Sequence, residues 1–229
     1  MTDKRNNRDD KQTSSFKSSE VRKQMYIAQL ILNKLQTIDP QAIIAGGAPR
    51  DWYLNKTATD IDIFYHFHGD LLHEKDLNAN LRMLQLVFPD FKIKTLGVSG
   101  DLSNVKQVEE HANYLLNPKI RHVFEFTYRG QVFQLIDKIS HESPVENFPY
   151  NMCQAWSNGV EIFYTPLFKV GVEKELLIET GSIYCSMGKY QKKMQEKFPN
   201  YTYIASRIVV TDPLGLQCDT QPALILPPF

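Results

Sequence analysis

Apolar residues first recur at helical spacing between Ser19 and Leu35. Val21, Met25, Ala28, Leu32 and Leu35 follow one another at steps of four, three, four and three, which is one face of a helix. Asp39-Pro40 ends that pattern, because the residue before proline is pushed out of the helical region. Ala42-Ile43-Ile44-Ala45 then reads as a short buried strand closed by Gly46-Gly47. Pro49 suits the first turn of a helix running through Trp52 to about Leu54. Asp60 to Tyr65 alternates polar and apolar residues and then turns largely apolar, as a central strand does.

Leu71, Leu72, Leu77, Leu81, Leu84 and Val87 predict a helix over about 70–87, and Phe91 to Val98 a strand. The mostly polar stretch 99–118 has room for a short helix at 106–116. A hairpin follows, from His122–Tyr128 through Arg129-Gly130 to Val132–Ile139. A second has Asn158-Gly159 between Met152–Trp156 and Val160–Tyr164, and Asn-Gly is a strong signal for a tight two-residue turn. Helical segments near 167–177 and 185–197, a strand-like Tyr201–Val210 and a Pro-rich tail complete the chain.

This order predicts an α+β fold: a small mixed sheet with flanking helices, plus a short α/β C-terminal extension. Residues 1–18 have Phe16 as their only large apolar side chain after Met1 and are expected to be a disordered tail. The core is placed at 19–165 and the extension at 166–229.

Composition narrows the function classes. The chain has 229 residues, 42% of them hydrophobic, with 26 basic against 26 acidic side chains. Zero formal charge argues against wholesale attraction to nucleic acid or anionic membrane. Cys153, Cys185 and Cys218 are far apart and form no CxxC pair, so a reducing compartment fits best. Without a long apolar run or the apolar stretch of a signal peptide, the expectation is a cytoplasmic protein with no membrane partner.

The candidate chemistry lies in two adjacent stretches, Gly46-Gly47-Ala48-Pro49-Arg50-Asp51 and Asp60-Ile61-Asp62. Two glycines after a strand let the backbone turn sharply and approach a ligand closely. The following helix offers free N–H groups to a phosphate, and Arg50 adds a charged donor. Asp60 and Asp62, two apart on a strand, share a face. Two crowded carboxylates repel each other unless a cation lies between them, and hard oxygen ligands select magnesium or manganese.

Gly-Gly-x-x-Arg-Asp, with Asp-x-Asp starting fourteen residues after the first glycine, resembles the polymerase-beta-type nucleotidyltransferase superfamily. The spacing is nearest to CCA-adding enzymes and bacterial poly(A) polymerases, and smaller, partly phage-borne relatives are also similar. The motif-bearing match covers about 42–67, with weaker similarity to about 165. The resemblance implies that Gly46 and Gly47 help hold a nucleoside triphosphate and that Asp60 and Asp62 bind catalytic Mg2+ or Mn2+. Arg50 and Asp51 match the family's Arg-Asp, near the phosphates or in local structure.

The family also needs a third carboxylate on a neighbouring strand. Asp137 is the first candidate and Glu125, on the partner strand, its competitor. The stretch Asn147–Trp156 lacks the Arg-Arg-Asp that CCA-adding enzymes carry there, which speaks against CCA-type addition. The implied activity is transfer of a nucleoside monophosphate from an NTP, ATP included, to RNA, protein or a small molecule. The alternative is a catalytically degenerate nucleotide- or RNA-binding module on the same fold. Neither the acceptor, the base preference nor the oligomeric state is encoded recognisably.

Three further features stand apart. His66, His68 and His73 lie close in sequence but lack an assignable fourth zinc ligand. Lys189, Lys192, Lys193 and Lys197 recur at helical spacing, as a solvated face or an RNA-tracking stripe. Trp52, Tyr53 and Trp156 are core or pocket wall, with nothing in the sequence to select which of them meets a base.

Overall fold

A computed structural model describes residues 17–67, 77–98, 117, 119–180 and 187–205. The elements are α1 (Ser19–Leu35), β1 (Ile43–Ala45), α2 (Gly47–Tyr53), β2 (Asp60–Tyr65), α3 (Leu77–Val87), β3 (Lys94–Val98), β4 (Ile120–Tyr128) and β5 (Gln131–Lys138). Then come two 3-10 turns (Val145–Asn147 and Asn151–Cys153), β6 (Ala155–Ser157), β7 (Ile162–Tyr164), α4 (Pro166–Lys174), β8 (Leu176–Ile178), α5 (Met187–Lys197) and β9 (Thr202–Ile204).

Seven strands form one mixed sheet in the order β3-β4-β5-β2-β1-β6-β7. Every neighbouring pair in it is antiparallel except β2 and β5, which run parallel at its centre. A parallel pair needs a crossover, and here the connection carries α3, β3 and β4. β8 and β9 make a separate parallel pair. The expected α+β architecture, a mixed sheet with flanking helices, is what the chain adopts.

Helix α1 starts where Ser18 Oγ accepts the Val21 amide, a side-chain cap for an otherwise orphaned donor. It buries the five expected apolar positions and, with them, Ile27, Ile31 and Gln24. Gln24 is satisfied on both sides: its Nε2 donates to Ala58 O at 2.8 Å, and its Oε1 accepts from Trp52 Nε1 at 2.6 Å. That one amide fixes α1 against α2 and the loop entering β2.

The two faces of the sheet are built differently. Ile44, Ile61, Ile63, Tyr65, Phe124, Phe126, Phe133 and Leu135 point to the face covered by α1 and α3, and they form the main core with Trp52. Ala45, Phe64, Val123 and Ile136 point the other way, beneath Val145 and Phe148 of the segment following β5. A third cluster joins Tyr150, Met152, Cys153 and Ala155 to Phe168 of α4, Leu177 of β8 and Met194 and Phe198 at α5.

Several elements are shorter than their sequence patterns. β3 begins at Lys94, and Met152 and Cys153 lie in a 3-10 turn instead of the hairpin, while the start of the α3 pattern, 70–76, falls outside the described residues. The expectations for residues 1–16, the helix at 106–116, His68, His73, Cys185, Cys218 and the tail fall outside the described residues. No helix among the described residues is long and apolar enough to cross a membrane.

Candidate functional site

Gly46 leaves β1 with φ +88°, a left-handed conformation that L side chains rarely adopt. Its amide donates to Ala155 O at 2.9 Å, extending the β1–β6 ladder by one bond. A Cβ there would meet Phe148 at 3.7 Å and Asp62 Oδ2 at 4.0 Å, so the glycine is required by backbone conformation more than by space. The turn lies directly beside the Asp-x-Asp strand, as the paired motifs imply.

Helix α2 is seven residues long. Of its first donors, Arg50 N already reaches Gly46 O at 3.4 Å and Pro49 has no N–H, which leaves the Gly47 and Ala48 amides without an intrahelical acceptor. A phosphate would find two backbone donors here, fewer than a full helix start presents.

Asp60 and Asp62 are half-buried and share the face of β2 opposite α1 and α3. Asp60 accepts from Thr59 Oγ1 at 3.2 Å. Parallel pairing with β5 puts Val132 beside Asp60 and Gln134 beside Asp62. Antiparallel pairing carries the line on from Gln134 to Glu125 in β4 and from Glu125 to Lys94 in β3. In the other direction the β1 register places Ala45 beside Asp62, and Ala45 pairs with Trp156, which pairs with Phe163. One row thus crosses all seven strands on one face, acidic and polar on one side of the glycine turn and aromatic on the other.

The register also corrects an expectation. Asp137 pairs with Tyr65, an odd step along β2, and therefore lies on the opposite face from Asp60 and Asp62. It is 0% exposed. Its carboxylate accepts from Arg121 Nη2 at 2.9 Å and Phe67 N at 3.2 Å on one oxygen, and from Asn80 Nδ2 at 2.8 Å on the other, where His122 Nδ1 lies at 2.9 Å. Asp137 is the hub of a buried structural network and is not part of the acid pair's surroundings. Glu125 is on the correct face, but two strands from Asp62, with Gln134 between them.

Of the two roles expected for Arg50, near the phosphates or in local structure, its contacts describe the second. It is 5% exposed: its Nε donates to Asp51 at 2.8 Å, its Nη1 lies 3.7 Å from Cys153 Sγ and 3.9 Å from Met194 Sδ, and the group sits over the Phe198 ring. Burial opposes its charge, but the neighbouring Cys153 and Asp51 reverse that and leave its pKa above the ordinary value. The other Asp51 oxygen accepts from Lys197 Nζ at 2.7 Å. Arg50 and Asp51 are thus a buried tie between α2 and α5, and no phosphate is needed to explain either.

Sequence reasoning missed Tyr190 of α5. Its hydroxyl lies 3.1 Å from Cys153 Sγ. Its pKa is pushed well up by burial first, then by Cys153, with the negative charge of Asp62 adding to the shift. The lone tyrosine in a lysine-rich helix carried no signal that it would reach Cys153. Of the lysine stripe, Lys192 and Lys193 are exposed while Lys197 is engaged by Asp51. His66 is occupied by Lys138 O, 2.8 Å from its Nδ1, and by an edge-on contact with the His141 ring.

The donor set limits what cation the site could hold. Among the described residues no group of three or more His, Cys, Asp or Glu side chains converges to hold a metal ion. Two carboxylates on one face do suit Mg2+, which is usually held by one or two carboxylates together with substrate phosphates and waters. The residues fit a cation that arrives with a nucleotide better than a resident, fully protein-ligated one.

No family model matches the sequence, and no curated protein matches it. Among solved structures, a "tRNA-processing enzyme (apo form I)" is similar at 9% identity and TM-score 0.41, over 71% of this chain and 37% of that one. The Bacillus stearothermophilus CCA-adding enzyme in complex with CTP is similar at 14% identity and TM-score 0.41, over 73% of this chain and 36% of that one. A further tRNA-processing enzyme complex is similar at 8% identity and TM-score 0.39, over 77% and 42%. The chain therefore spans between 36% and 42% of the length of these structures.

Proposed function

We propose that this protein binds a nucleoside triphosphate with a divalent cation at the edge formed by Gly46, Gly47, Asp60 and Asp62, and transfers the nucleoside monophosphate to an acceptor hydroxyl or phosphate. The observation that carries the reading is the placement of two carboxylates on one strand face directly beside a glycine turn, with Asp62 Oδ2 4.0 Å from the Cβ position of Gly46. Asp60 and Asp62 would hold the cation, which supplies positive charge to the triphosphate oxygens. The Gly47 and Ala48 amides remain as backbone donors, and the absence of a side chain at Gly47 lets a phosphate come close. In the transfer, the acceptor oxygen bonds to the α-phosphorus and gives up its proton to solvent, while the bond from the α-phosphorus to the oxygen bridging to the β-phosphate breaks and pyrophosphate leaves. The site's contribution is positioning and charge, as in phosphoryl transfer generally.

A second reading rests on Gln134. The position beside Asp62 on the adjacent strand holds a neutral amide, and Asp137 faces the other way. An amide cannot take a proton from the acceptor, so the same site would bind the nucleotide without turning it over.

A labelled-NTP transfer assay with Mg2+ or Mn2+, using total RNA and a protein extract as acceptors, separates the two readings. Label transferred by the wild type and not by Asp60→Ala/Asp62→Ala supports the transferase. Manganese-dependent NTP binding without transfer supports the module. NTP binding that is equally tight in the double variant overturns both.

A further inference from the structure

Five amide side chains are buried among the described residues: Gln24, Asn80, Gln134, Asn151 and Gln154. Four of them are held at both ends. Gln24 donates to Ala58 O and accepts from Trp52 Nε1. Asn80 accepts from the Tyr65 hydroxyl and donates to Asp137. Asn151 accepts from Ile178 N and donates to Leu176 O, and Gln154 accepts from Thr165 Oγ1 and donates to Thr180 Oγ1. Gln134 is the exception. It is 7% exposed, and among the described residues neither end of its amide has a hydrogen-bond partner. A buried amide left unpaired carries its whole desolvation cost, so the exception asks for a partner from outside the chain.

The place of Gln134 says which partner. It pairs with Asp62 across the parallel β2–β5 ladder, so both side chains leave the sheet on the face opposite α1 and α3. Neighbouring strands lie about 4.8 Å apart, which puts the amide one strand spacing from the acid pair. Asp60 and Asp62 are half-buried, so that face can be reached from outside. On its other side Gln134 pairs with Glu125 of β4. The amide N–H groups thus have carboxylates on both neighbouring strands and bond to neither of them. An amide also carries a carbonyl oxygen, and carboxylate and carbonyl oxygens together are the ligands that suit Mg2+, Mn2+ and Ca2+.

We propose that Gln134, through its carbonyl Oε1, is a third protein ligand of the divalent cation held by Asp60 and Asp62. The inference rests on the reading of that pair as the cation end of the nucleotide site, and it holds whether the nucleotide is transferred or only bound. A neutral third oxygen adds a ligand without adding charge. Two carboxylates balance one divalent cation, so a second cation would depend on the triphosphate for its counter-charge.

Calorimetric titration of the full chain with Mn2+, alone and as its ATP complex, tests this. Gln134→Met keeps the size of the side chain and removes the oxygen. It is expected to weaken Mn2+ binding about tenfold. Its urea unfolding without cation should be unchanged or slightly more stable, because an unpaired amide has been replaced by an apolar group. Gln134→Glu supplies an oxygen that carries charge. Without cation it should lower the thermal midpoint by crowding a further carboxylate against Asp62, and with Mn2+ it should bind more tightly than the wild type and recover that midpoint. This variant decides the matter where Gln134→Met does not fold. Mn2+ binding at wild-type strength in both Gln134 variants, alongside its loss in Asp62→Asn, overturns the third ligand and leaves the acid pair standing. Weaker ATP binding with unchanged Mn2+ binding in Gln134→Glu overturns it in favour of an amide N–H on a phosphate oxygen. A clear loss of cation-free stability in Gln134→Met shows the amide bound by the protein itself and also overturns it. Failure of the wild type to bind Mn2+, with or without ATP, removes the acid-pair reading and the third ligand together.

Discussion

The central strands β2 and β5 present acids to both faces of one sheet, and the two faces treat them in opposite ways. Asp137, on the helix-covered face, is surrounded by Arg121, His122, Asn80 and the Phe67 amide. Asp60 and Asp62, on the other face, are half-buried beside a glycine turn, with Gln134 next to Asp62 on the adjacent strand. A buried carboxylate surrounded by donors has had its charge compensated by the protein itself. Two carboxylates side by side on a half-buried face can still be reached from outside by a cation. A count of acidic residues in the right order along the chain cannot tell these situations apart.

The comparison breaks most readily at Asp137. Asp137→Ala strands Arg121 and His122 in the interior, and the expected cost is about 3–5 kcal/mol of stability in urea unfolding. Loss of nucleotide transfer in Asp137→Ala with unchanged unfolding would instead make it a member of the site. Asp60→Asn and Asp62→Asn remove mutual repulsion and should be neutral or slightly stabilising without ligand. With Mn2+ and NTP at a hundred times the dissociation constant, the wild type should gain about 2.7 kcal/mol and the variants almost none, as read from thermal unfolding. A full gain in either variant would erase the difference between the faces.

Gly46→Ala sharpens the picture of the turn. Its space is ordinary, so the penalty is that of forcing φ +88° on an L residue, about 1–3 kcal/mol, measured by urea unfolding. A cost near zero would mean the turn relaxes freely and does not hold its shape for a ligand. The smallest effect is expected at the tie to α5. Lys197→Met leaves Asp51 still paired with Arg50, and the loss should stay below about 1 kcal/mol in the same measurement.

Much of this architecture could be read before the coordinates. The spacing from Val21 to Leu35 gave α1 its buried face, and the Gly46-Gly47 break separated β1 from α2. The alternation at Asp60–Tyr65 placed both acids on one side of β2. Arg129-Gly130 carries positive φ at both residues of its two-residue turn, whereas in the second hairpin only Gly159 does, and the loop there runs over four residues from Asn158 to Glu161. What could not be read was register. A side chain changes face with every residue, so the pairing of Asp62 with Gln134, three residues before Asp137, decides membership of the site, and no local pattern encodes it. The contacts of Arg50 were hidden for a different reason: its partners Cys153 and Met194 are more than a hundred residues away.

The parallel pairing of β2 with β5 has a consequence for how the chain is made. β2 ends at Tyr65, and the strand that completes its free edge ends at Lys138. At synthesis rates of roughly 5–20 residues per second, that edge waits roughly 4–15 s for its partner to leave the ribosome. Through that interval an apolar strand, Ile61, Ile63, Phe64 and Tyr65, is available to any neighbouring nascent chain. Its first and third residues are Asp60 and Asp62, and charge on an unpaired strand is what deters edge-to-edge association. The carboxylates assigned here to the mature protein's ligand would thus already act during its birth, keeping β2 apart from other chains until β5 arrives.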